Sequence, residues 1–122
     1  MPNQILLYIG GALPFLWGIF HLFPTTSVVK GFGNISADNK NIITMEWIIE
    51  GVALIFIGII VAGVTFIGAD NSVSEFIYIA SAAMLIVLAV VSLFTGYKVN
   101  FFPFKLCPFL FTLSSLLIII GY

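Results

Sequence analysis

Four stretches of nearly continuous apolar residues divide the chain, separated by short clusters of Pro, Gly, Asn, Asp and Lys. A bilayer core of about 30 Å takes roughly 20 residues of α-helix at about 1.5 Å each, and every stretch has that length. The first runs from Gln4 to Phe23 and stops at Pro24, whose missing N–H and steric demand on the preceding residue disfavour further helix. The second begins at Ile42, after the polar stretch Asn34 to Asn41, and reaches Ile67, where Gly68-Ala69-Asp70-Asn71 supplies turn chemistry. The third covers Ser74 to Tyr97, with Ser72 or Ser74 as N-cap and Glu75 beside the positive helix N-terminus. The fourth covers Phe104 to Gly121. The pattern predicts an all-α transmembrane four-helix bundle, one membrane domain over residues 1–122 with spans at 4–23, 42–67, 74–97 and 104–121.

Composition makes lipid the solvent. Hydrophobic residues are 61% of the chain and charged residues 7%, which leaves too little polar surface for a water-soluble domain of this size. The first stretch has neither a basic leading region nor a small-x-small cleavage site, so it reads as a permanent span. A net charge of −1 with no arginine and no basic run excludes nucleic acid as a partner, because neutralising phosphates needs clustered cations. The single cysteine, Cys107, excludes an internal disulfide and a CxxC redox or zinc pair.

Charge also gives a direction. Lys30 and Lys40 lie between the first two stretches, and Lys98 and Lys105 bracket the link between the last two. Both connections fall on one face, and the opposite face carries no lysine. The positive-inside rule then puts the lysine face in the cytoplasm and both termini on the non-cytoplasmic side of a multi-pass protein. The long first loop, Pro24 to Asn41, contains Val28, Val29, Phe32 and Ile35, which fold it back on the interface.

Ionisable groups inside spans cost about 2.5–3.5 kcal/mol at the helix centre, so each needs a reason. His21 lies one turn before the lysine end of the first span, and Glu46 and Glu50 lie one and two turns into the second from that same end. Residues four apart share a helix face, so the two carboxylates can act together. Gly11, Pro14, Gly18 and His21 cluster on one side of the first span. Small residues admit a neighbouring helix, and Pro14 leaves the Gly10 carbonyl without its intrahelical donor, so this side faces protein. Trp17, Trp47 and Thr95 lie at the same level, amid Phe20, Phe94, Phe101 and Phe104. Together these residues describe an apolar, aromatic pocket with a few polar groups, a ligand-binding set of His21, Glu46, Glu50, Trp17, Trp47 and Thr95. The plainer readings are an interfacial aromatic belt for the tryptophans, a shallow structural carboxylate for Glu46, an interhelical hydrogen bond for His21 and helix-packing faces for the heptad-spaced glycines.

The stretches Gly18-Ile19-Phe20-His21-Leu22-Phe23-Pro24 and Glu46-Trp47-Ile48-Ile49-Glu50-Gly51-Val52-Ala53-Leu54 resemble the DoxX-like group of small four-span membrane proteins. The resemblance implies a four-helix bundle associated with a quinone-linked or thiol-related redox system. The chain departs from that pattern in having no cysteine pair. A looser similarity joins it to membrane sterol isomerases, which use His and Glu in a helical cavity.

Three function classes follow. One is binding of an apolar molecule such as a quinone, lipid or sterol-like compound. Another is an enzyme moving a proton with His21 and Glu46 or Glu50, or using them to hold a divalent metal. The third is an oligomeric transporter or channel subunit with Glu50 as its coupling group. No cofactor is assigned, and the partners expected are the bilayer, an apolar small molecule and a second copy of the chain.

Overall fold

The computed structural model describes all 122 residues and contains five helices and no strand. They are α1 (Gln4–Leu22), α2 (Thr25–Gly31), α3 (Ala37–Gly68), α4 (Ser72–Phe94) and α5 (Phe102–Gly121), with a 3₁₀ turn at Gly96–Lys98. Four of them are long and apolar enough to cross a membrane. The bundle closes as a ring in the order α1, α3, α4, α5, with α1·α3 and α4·α5 the most extensive pairings.

Caps explain where the helices start. The Ser36 hydroxyl accepts from the Asn39 N–H at 3.1 Å, so α3 begins five residues before the apolar run and carries a polar first turn, Asp38 included, beyond the hydrocarbon. At α4 the cap is Asn71 rather than Ser72 or Ser74. Its Oδ1 accepts from both Val73 and Ser74 N–H at 3.0 Å, two orphan donors satisfied by one side chain. The first loop contains the short helix α2, whose Val29 is buried.

The α1·α3 seam is made by glycine. A Cβ on Gly18 would stand 2.6 Å from the Gly51 carbonyl oxygen, and one on Gly58 would stand 2.6 Å from that of Gly11. The heptad pairs Gly11/Gly18 and Gly51/Gly58 therefore oppose each other on antiparallel helices, and their backbones touch without side chains between them. The other seams use hydroxyls. Ser114 Oγ–H on α5 donates to the Gly10 carbonyl of α1 at 2.6 Å, the very group that Pro14 leaves without a partner. Ser115 Oγ–H donates to the Ala82 carbonyl of α4 at 3.0 Å. Thr65 Oγ–H is committed to the Val61 carbonyl at 2.7 Å, so the Tyr78 phenol donates to Thr65 Oγ at 2.9 Å and joins α4 to α3.

The buried core is small, 25 of 122 residues, whereas Ile5, Leu16, Phe56, Phe66, Phe76, Ile86, Phe109 and Ile120 stand exposed along the outside of the four long helices. An all-round apolar exterior on helices whose backbone hydrogen bonds are internally satisfied has the bilayer as its solvent. The chain is a small, multi-pass integral membrane protein.

Candidate functional site

The end of the bundle that carries the lysines, called the loop end here, is built around His21 and Trp47. Pro24 stops α1, so the last carbonyls of that helix need donors from elsewhere. The Thr25 hydroxyl donates to the Leu22 carbonyl at 2.6 Å, and the Trp47 indole Nε1–H donates to the His21 carbonyl at 2.8 Å. The exchange is reciprocal, since His21 Nε2 lies 3.1 Å from the Trp47 carbonyl. A carbonyl only accepts, so Nε2 carries the proton of this bond. The two rings stack with centroids 3.8 Å apart and planes at 16°. Gly51, one turn beyond Trp47, has no side chain to cover the Trp47 carbonyl, which stays open to the histidine even though it belongs to a helix.

The clamp fixes one wall of a cavity of about 270 Å³. Trp17, Phe20 and His21 come from α1, Val28 from α2 with Pro24 just before it, Trp47 from α3, and Phe101, Pro103, Phe104 and Cys107 from the start of α5 and its approach. The Trp47 ring meets Phe104 edge-on at 5.9 Å, and Phe104 meets Phe101 at the same distance. Cys107 Sγ faces the Pro103 carbonyl at 3.6 Å. The wall is almost wholly apolar, and its volume lies just under the range of about 300–1,000 Å³ usual for small-molecule sites. His21 Nδ1 has no partner in the chain and is not sealed from solvent-sized space.

On the other side of Trp47 lies a shallower groove of about 430 Å³ between α3 and α4, lined by Ile42, Ile43, Glu46, Trp47, Ile49, Glu50, Ala53, Leu54 and Leu88. Glu46 and Glu50 share this groove, as their spacing on one face requires. Glu50 reaches back past Trp47, with Oε2 3.6 Å from His21 Nε2, while its side chain is 48% exposed against 8% for His21.

The six residues singled out from sequence thus divide into three places. Trp17, His21 and Trp47 line the pocket, Glu46 and Glu50 line the groove with Trp47 as the partition, and Thr95 lines neither. Thr95 is exposed at the end of α4, its hydroxyl donating to the Val91 carbonyl at 2.6 Å. His21, Glu46 and Glu50 do not converge as a metal-ligand set, and no other three His, Cys, Asp or Glu side chains do. Pro103 and Val28 were not singled out as site residues from sequence. Val28 carried a signal, as an apolar residue in an otherwise polar loop; Pro103 carried none beyond its place in an aromatic run. No family model, curated protein or solved structure matches the chain.

Proposed function

We propose that this membrane protein binds an apolar, ring-bearing small molecule in the loop-end pocket, as a binding or accessory protein rather than a catalyst. The observation that carries the reading is the pocket itself, an aromatic-walled space at the membrane boundary whose polar edge is the open side of His21. A molecule dissolved in the bilayer would enter with its apolar part already desolvated, and the aromatic plates would hold a ring. Proton transfer has less support, since His21 Nε2 is committed to the Trp47 carbonyl and Glu50, although 3.6 Å from that nitrogen, lines the groove rather than the pocket. We further propose membership of the DoxX-like group, on four-span architecture and the stretches around His21 and Glu46, which keeps a quinone-type molecule, in its hydroxyl-bearing quinol form, among the candidate ligands. The lysine end is proposed to face the cytoplasm; a reporter active only outside the cytoplasm, fused after Tyr122, should be active.

The test is native mass spectrometry of protein released from membranes. Wild type should retain an apolar molecule of defined mass. Val28→Trp, which fills the pocket from α2, should lose it, and Thr95→Val should keep it. A wild-type protein that carries nothing, with Val28→Trp indistinguishable from it, ends the binding reading.

A further inference from the structure

We infer that the loop-end pocket selects a ligand that donates a hydrogen bond, an alcohol or phenol hydroxyl on an apolar ring, and discriminates against the ketone or ether of the same shape. The inference rests on the binding reading above and adds the chemical class of the ligand. It follows from the tautomer of His21. The Trp47 carbonyl cannot donate, so the 3.1 Å contact requires a proton on Nε2. In a neutral imidazole the other nitrogen then holds a lone pair, and which nitrogen is which is fixed by the partner of the first. Nδ1 has no partner in the chain, is not sealed off, and belongs to a ring that lines the pocket. Because His21 lines this pocket and not the groove, we take Nδ1 as the acceptor that the apolar space offers a ligand.

A hydroxyl placed there makes one hydrogen bond against an otherwise apolar wall. A ketone or ether oxygen placed there sets lone pair against lone pair. The Trp47 N–H cannot rescue such a ligand, because it is spent on the His21 carbonyl at 2.8 Å. A site that depends on a hydrogen bond from its ligand rejects the analogue lacking the donor far better than an apolar wall rejects a change of shape.

The chain supplies its own reporter, since its only two tryptophans, Trp17 and Trp47, both line the pocket. The experiment titrates menthol and menthone, an alcohol and a ketone on the same ring, into the protein in phospholipid nanodiscs and follows tryptophan emission. Wild type should bind menthol about tenfold more tightly than menthone, the ratio that one net hydrogen bond gives. The deciding variant is His21→Gln, whose amide N–H reaches the position of Nε2 and keeps the bond to the Trp47 carbonyl while removing the Nδ1 acceptor. It should bind menthone as wild type does and lose the preference for menthol. His21→Asn, which removes the Nε2 donor instead, separates loss of the clamp from loss of the acceptor, because it should lower thermal stability where His21→Gln does not. Equal affinity of wild type for the two compounds, or a preference that survives in His21→Gln, overturns the donor-ligand inference while leaving the pocket as a binding site. Emission that responds to neither compound overturns both.

Discussion

The two ends of this bundle are closed by different chemistry. Toward the termini, hydroxyls bond across three seams: Ser114 to Gly10, Ser115 to Ala82 and Tyr78 to Thr65, with the Asn3 N–H donating to the Gly121 carbonyl at 2.6 Å. All four hydroxyl-bearing residues are buried. At the loop end the only hydrogen bonds between two long helices are those of the His21–Trp47 clamp of α1 and α3; Lys105 of α5 donates to the Tyr97 carbonyl in the turn before it at 2.8 Å, and the wall facing α5 is aromatic and left open. A small membrane protein gains little from apolar burial between helices, because lipid is as apolar as leucine, so close backbone approach and hydrogen bonds must hold it. Where those contacts reach all the seams the bundle is sealed, and where they reach one seam it keeps a cavity.

Substitutions can break that contrast, and they rank by what each removes. Gly18→Ala should cost most, about 3 kcal/mol, because its Cβ would meet the Gly51 carbonyl and the backbone of Ile55, atoms that cannot rotate away. It should separate α1 from α3 and abolish the pocket, visible as a collapse of the thermal transition in detergent and a red shift of tryptophan emission. Trp47→Phe keeps an aromatic ring over His21 but leaves the His21 carbonyl without its donor, and should cost about 1–2 kcal/mol in a denaturant titration. Ser114→Ala removes the one donor that Pro14 makes necessary at the sealed end. We expect a loss of about 0.6–1.7 kcal/mol there, with ligand affinity at the loop end unchanged. The smallest effect belongs to Ser81→Ala. Ser81 Oγ is buried without a hydrogen-bond partner, so its removal should leave stability within about 0.5 kcal/mol of wild type or slightly above it.

Both ends were readable from sequence to different depths. Four long apolar runs with turn residues between them specify four long helices, and the heptad glycines and Pro14 mark the face of α1 that meets protein. What periodicity could not supply was the partner across each seam. The free Gly10 carbonyl is legible in Pro14, but Ser114 lies 104 residues away and nothing local connects them. The level shared by His21 and Glu50 was legible by counting turns from the loop. The role of Trp47 as a partition was not, because it depends on the rotation of α3 about its axis and on the bare carbonyl beside Gly51. Helix α2 is not legible in the sequence, because seven residues with Thr, Ser and paired Val carry no helical period long enough to register, and tertiary packing of Val29 decides it. Sequence does not separate Asn71 from Ser72 and Ser74 as the cap of α4, because all three residues can cap; only geometry shows one side chain serving two N–H groups.

Cysteine reactivity tests the contrast between ends most directly, since Cys107 lines the pocket and is the only thiol in the chain. Its rate of modification by a membrane-soluble maleimide, in mildly alkaline buffer and in nanodiscs, is to be compared with that of a thiol at the sealed end, Ser115→Cys in a Cys107→Ser background. We expect Cys107 to react at least about tenfold faster, because access as well as thiolate content sets the rate, and bound menthol to slow it while leaving the sealed-end thiol unaffected. Equal rates at the two positions, or a Cys107 rate indifferent to menthol at saturating occupancy, would contradict an open loop end and a pocket that receives a ligand.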